Sequence, residues 1–184
     1  PIGSWDVSSV KKMRDMFNFA TSFNQPLNDW DVRSVSHEDG MYQMFYNADA
    51  FNQPLGNWDV SNVVEMSLMF AETNSFNQDL SPWNTASLTD IGGMFMSAES
   101  FNGPLSGWDV SKVTSLQSLF MDARSFNQPI GDWDTRSSEQ FTQVFYGASK
   151  FNQDLSAWTF GAATTMSYMF YNASSFDQDL GWCV

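Results

Sequence analysis

The stretch Phe51-Asn-Gln-Pro-Leu-Gly-Asn-Trp58-Asp-Val-Ser-Asn-Val-Val-Glu-Met66-Ser-Leu-Met-Phe70 recurs in near-copies from one end of the 184-residue chain to the other. The eight tryptophans, Trp5, Trp30, Trp58, Trp83, Trp108, Trp133, Trp158 and Trp182, are spaced by 25, 28, 25, 25, 25, 25 and 24 residues. Phe17, Phe45, Phe70, Phe95, Phe120, Phe145 and Phe170 step in the same register, as do Phe23, Phe51, Phe76, Phe101, Phe126, Phe151 and Phe176. Three columns in one register are not a coincidence. A fixed period of this length is the signature of stacked repeats, each unable to bury its apolar face alone.

Within one copy the apolar spacing changes. Trp58 and Val60 alternate with Asp59, the pattern of a short half-buried strand with Asp59 facing outward. Ser61 stands where a helix N-cap would. Val63, Met66, Met69 and Phe70 follow at helical spacing. Each unit therefore reads as a short parallel strand, a corner, a short helix or 3-10 turn, and a return loop carrying Phe-Asn-Gln. Parallel strands about 4.8 Å apart would make about eight coils a rod on the order of 40 Å long. Prolines 26, 54, 104 and 129 fall just ahead of the strand, where no ladder bond is lost. Residues 1–184 read as a single repeat domain. Because Pro1 falls in mid-pattern and neither end shows a polar capping unit, the reading is of a segment of a longer repeat protein. The second unit carries three extra residues near Ser36-His37-Glu38-Asp39-Gly40, which predicts a surface loop.

Charge narrows the partners. With 21 acidic and 8 basic residues the net charge is -13, which repels nucleic-acid phosphates and anionic membranes and leaves a basic protein surface or a cation as candidates. No apolar run approaches the ~20 residues of a transmembrane helix. The single cysteine, Cys183, excludes an intrachain disulfide framework.

The phrase Met-Phe-x-x-Ala-x-x-Phe-Asn-Gln-x-Leu-x-x-Trp-Asp-Val-Ser-x-Val-x-x-Met is nearly intact from Met44 to Met66. From Met94 it runs on to Leu116. It resembles the DUF285 repeat family, also called BspA-like leucine-rich-repeat surface proteins, over essentially the whole chain. The resemblance implies an α/β solenoid of leucine-rich-repeat type and a role in adhesion or recognition at a cell surface. It implies no catalytic residues. Departures are local: Thr85, Thr135 and Phe160 replace the valine after Trp-Asp, and Ser138 and Ala163 replace the following valine, so those units are expected to pack differently.

The columns sort into scaffold and candidate site. Trp30, Trp58, Trp83, Trp108, Trp133 and Trp158, with Phe45, Phe70, Phe95, Phe120, Phe145 and Phe170, read as aromatic ladders filling the core. In the column Met13, Met41, Met66, Ile91, Leu116, Phe141 and Met166, the interchange of Met with Ile, Leu and Phe asks for bulk rather than sulfur. The asparagines at 24, 52, 77, 102, 127 and 152, with Asp177, read as a structural amide ladder at a corner.

The outward column, Asp6, Asp31, Asp59, Asn84, Asp109, Asp134 and Thr159, is the candidate partner-binding face. Stacked carboxylates about 5 Å apart repel by roughly 1 kcal/mol per pair in a water-like dielectric, so the stripe is suited to a cation such as calcium or to a basic partner. The competing reading is that each Asp caps the following turn through a backbone N–H. His37 stands alone with two acids, too few for a metal or acid–base site. Regular columns are also a poor way to build one unique catalytic centre. The sequence therefore predicts a non-enzymatic module without cofactor that binds protein or glycan, and the resemblance implies an extracellular or cell-surface position. The alternative is a spacer held in a larger assembly through its ends.

Overall fold

The computed structural model describes residues 2–36 and 40–182. The insertion residues His37, Glu38 and Asp39, and Cys183, lie outside them. The repeats stack one on the next, but neither the expected strand nor the expected helix forms. Among the described residues the only helical element is a 3-10 turn at Ile2–Ser4. The only parallel pairings among the described residues are single bridges, Glu65 with Asp90, Asp90 with Ser115, Ser115 with Gln140 and Gln140 with Thr165. The strand-and-helix solenoid of leucine-rich-repeat type is therefore not the fold of this chain.

The helical spacing around Met66 misleads because of the backbone between the apolar positions. Leu68 and Glu72 are left-handed, at φ 57 and 58°. The same pair recurs as Asp15 and Phe19, Gln43 and Asn47, Gly93 and Ser97, Ser118 and Asp122, Gln143 and Gly147, and Tyr168 and Asn172. A left-handed residue every fourth position cannot continue a right-handed helix. The segment instead becomes a run of overlapping tight turns. Met69 N–H donates to Met66 O, Ala71 N–H to Leu68 O and Thr73 N–H to Phe70 O. The alternate N–H groups point along the stack: Met66, Leu68, Phe70 and Glu72 donate to the carbonyls of Asp90, Gly92, Met94 and Met96 in the next coil. Each amide from Leu68 to Thr73 is thus satisfied, half locally and half between coils. Residues 40–48, 65–73, 90–98, 115–123, 140–148 and 165–173 form this turn ladder with the run at Met13.

The Trp-x-Val segment fails as a strand for a complementary reason. Trp58 N–H turns back to Leu55 O and Val63 N–H to Val60 O, so this side of the coil is made of corners. Tryptophan ties the coils here with its side chain. The indole N–H of Trp58 donates to Leu27 O, Trp83 to Leu55 O, Trp108 to Leu80 O and Trp158 to Ile130 O, at 2.8–3.0 Å.

The interior is a stack of aromatic rings. Phe45, Phe70, Phe95, Phe120 and Phe145 lie nearly parallel with centroids 5.5–5.8 Å apart. Each ring also stacks on the second phenylalanine of its own coil, as Phe95 does on Phe101 at 3.9 Å. Trp58, Trp83, Trp108, Trp133 and Trp158 form a third pile at 6.2–6.5 Å. Phe170, in the last full coil, is half-buried. Of the mixed Met column, Met13, Met41, Met66, Ile91, Leu116 and Phe141 are buried, whereas Met166 is exposed.

The departures from the repeat compensate one another. Thr85 Oγ1 donates to Asp109 O and accepts from Asp109 N–H, and Thr135 Oγ1 does the same with Thr159. Ser138 Oγ donates to Val113 O at 2.8 Å. Where Ser138 and Ala163 give up valine volume, Phe141 and Phe160 supply it, meeting edge-to-face at 4.9 Å.

Candidate functional site

The outward column is on the corner side of the coil, one residue after each tryptophan. Asp6, Asp59, Asn84, Asp109 and Thr159 are exposed, and Asp31 and Asp134 half-exposed. Neighbouring carboxylates feel one another: Asp31 opposes ionisation of Asp6 and of Asp59, and Asp134 that of Asp109. The column is thus an acidic stripe across neighbouring coils, interrupted by Asn84 and Thr159.

Each carboxylate also has a local task. Oδ1 of Asp6, Asp31, Asp59, Asp109 and Asp134, and of Asn84, accepts the N–H two residues on, at 2.9–3.2 Å. These are Asx turns, which close the corner after tryptophan. Asn84 serves as well as Asp, so the position needs an acceptor and not a charge. Thr159 makes no such turn; its N–H donates to Thr135 Oγ1. The cap expected at the start of a helix is present, but the helix is not.

Two of the carboxylates are paired. Arg33 and Arg136 grip Asp31 and Asp134 through two guanidinium bonds each, of 2.6–2.9 Å. The arginine bonds hold both carboxyls down at about 2, and their own pKa values are raised in return. Asp59 and Asp109 are lowered more modestly by Ser61 and Ser111. Among the described residues no group of three or more His, Cys, Asp or Glu side chains is disposed to hold a metal ion. The stripe spreads its carboxylates one to a coil, and the turns already use their oxygens.

The asparagine column is a ladder of the same economy. Oδ1 of Asn24, Asn52, Asn77, Asn102, Asn127 and Asn152 accepts the backbone N–H of the residue below it in the column, at 2.8–3.0 Å. The neighbouring glutamine often adds a second bond, as Gln153 Nε2 does to Asn127 Oδ1 at 3.0 Å. The amides are half-buried or exposed rather than fully interior.

The opposite side of the coil, the outer face of the turn ladder, holds features that the column analysis passed over. All five tyrosines, Tyr42, Tyr46, Tyr146, Tyr168 and Tyr171, lie on it. In its middle the side chains that would follow Ser67 and Leu68 above, and precede Gln117 and Ser118 below, are replaced by Gly92 and Gly93. The two glycines open a hollow of about 280 Å³ between Leu68, Met96, Asp90 and Ser115. The signal in the sequence is this pair of adjacent glycines, the one unit in which both positions lack a side chain.

No curated protein matches the chain. Among the described residues no helix is long and apolar enough to cross a membrane. A family model described as "Mycoplasma protein of unknown function, DUF285" matches residues 1–43, 38–124 and 103–183, three overlapping runs of repeats. With nearly every coil matched, the chain belongs to the DUF285 family.

Proposed function

We propose that the chain is a non-enzymatic recognition or adhesion module that meets a protein or glycan at a cell surface. The observation that carries this reading is the division of labour in the coil. Tryptophan, phenylalanine and asparagine columns fix the scaffold, while carboxylates stand in register along an exposed edge. A stiff body with a regularly charged edge loses little conformational entropy on binding. The phrase shared with BspA-like surface proteins supports a location outside the cell. The acidic stripe favours a partner with a basic surface.

The test is charge reversal at Asp59, Asp109 and Asp134, each to Lys, with binding followed against basic protein ligands and a glycan array. Binding that falls at least ten-fold supports the stripe; unchanged binding places recognition elsewhere on the molecule. A second reading, a spacer held in a larger assembly through its end coils, is favoured by apolar side chains exposed there: Trp5 and Phe19 at one end, Tyr168 and Tyr171 at the other. Sedimentation over a wide concentration range tests it. Growth of end-to-end species would support the spacer, and a strict monomer would count against it.

A further inference from the structure

We propose that the hollow at Gly92 and Gly93 is a docking pocket for a lysine or arginine side chain of a protein partner. The proposal rests on the recognition reading above and gives it a partner class and a second face.

Three observations converge on it. The hollow exists because two consecutive side chains are missing where the flanking coils have Ser67-Leu68 and Gln117-Ser118. Its flanks also close in on the glycines: a Cβ on Gly93 would stand 2.6 Å from Leu68 Cδ2, and one on Gly92 3.1 Å from Asp90 Oδ1, so Leu68 and Asp90 lie directly against the floor. Its walls match a basic side chain part by part. Leu68 and Met96 are apolar and suit the aliphatic stem, while the Asp90 carboxylate, held by Gly92 N–H at 2.8 Å, faces the cationic head.

The surrounding charge agrees. Residues 65–72, 90–97, 115–122 and 140–147 contain Glu65, Glu72, Asp90 and Asp122 and no lysine or arginine. Met96, which lines the hollow, is of a residue type that interface cores favour. Leu68, Met96 and Met121 are half-exposed around its middle, and Tyr46 and Tyr146 stand on the same face. A nucleic acid or an anionic surface would meet only like charge here.

The experiment uses short capped peptides, identical except for a central Arg, Lys, norleucine or Glu among leucines and serines, titrated by fluorescence polarisation. Variants come from the protein's own columns, so that the backbone already accommodates each residue: Asp90→Ser as at Ser115, Leu68→Ser as at Ser118, Met96→Ala as at Ala71. Circular dichroism confirms that each is folded. The Arg and Lys peptides should bind at least about ten-fold tighter than the norleucine and Glu peptides, and Asp90→Ser should abolish that difference. The triple lysine variant of the acidic stripe should keep it. Equal binding of all four peptides, no binding of any, or full binding by Asp90→Ser overturns the pocket. Peptide or glycan binding that is lost only in the stripe variant overturns the pocket and leaves the recognition reading standing.

Discussion

At the scale of single residues, the fold depends on side chains that replace backbone bonds. Asn127 Oδ1 accepts both Asn152 N–H, at 2.9 Å, and Gln153 Nε2, at 3.0 Å. Asn127→Ala leaves both donors without a protein partner and should cost about 1–3 kcal/mol by urea unfolding, whereas Asn127→Asp keeps the acceptor and should cost less. Gly103 gives the opposite lesson. Every other full repeat has glutamine in this column, yet a Cβ on Gly103 would collide with the Gln78 carbonyl oxygen. Restoring the repeat with Gly103→Gln should therefore lower the free energy of unfolding by about 1–3 kcal/mol, and a more stable variant would refute the close approach. The Asp31 and Asp134 pairs set a pH response. Their folded pKa values, about 2, lie below the ordinary 3.8. Such groups contribute stability that is complete above about pH 4 and is lost as pH falls through about 2. The melting temperature should decline across that window, and less so in the double variant Asp31→Asn with Asp134→Asn. Both pairs are exposed, so the difference is small.

At the scale of the element, the sequence was legible for what is buried and misleading for how the backbone gets there. Periodicity reports which side chains face inward, and Trp58, Val60, Met66 and Phe70 do. It does not report the sign of φ. Leu68, Glu72, Gln143 and Tyr168 are not residues that announce a left-handed turn, and only Gly93, Gly147, the asparagines Asn47 and Asn172 and the aspartates Asp15 and Asp122 in their columns carry a recognisable signal. A turn ladder and a helix therefore share the spacing i, i+3, i+6 and i+7. The Asp after Trp5, Trp30, Trp58, Trp108 and Trp133 accepts the N–H two residues on, as a helix cap does, but what it closes is a corner. The aromatic pile supplies the packing that the missing strands do not. Phe95 stacks on Phe101 and lies between Phe70 and Phe120. Phe95→Ala should cost about 3–5 kcal/mol. Phe170→Ala, at a half-buried ring in the last full coil, should cost distinctly less. Equal losses would mean that the interior is not a stack of nearest-neighbour contacts.

At the scale of the molecule, a chain of net charge -13 repels itself along its length, most of all on the Asp stripe. Screening by salt should raise the melting temperature by a few degrees, since exposed like charges a coil apart lie within a Debye length of about 10 Å at moderate salt. The candidate site was only half legible for a related reason. A stripe repeats and so stands out in an alignment of the units. The hollow between Leu68 and Met96 is made by an absence in one unit, and becomes visible only when neighbouring coils supply its walls. Alternate amides of the left-handed turn ladder join the coils, and hydrogen-bond scalar couplings measured by NMR read those bonds one by one. Couplings should run from the amide nitrogens of Leu68, Phe70 and Glu72 to the carbonyl carbons of Gly92, Met94 and Met96, one coil further on. Coupling of Phe70 to the carbonyl of Met66 instead, the bond of an α-helix, would refute the ladder.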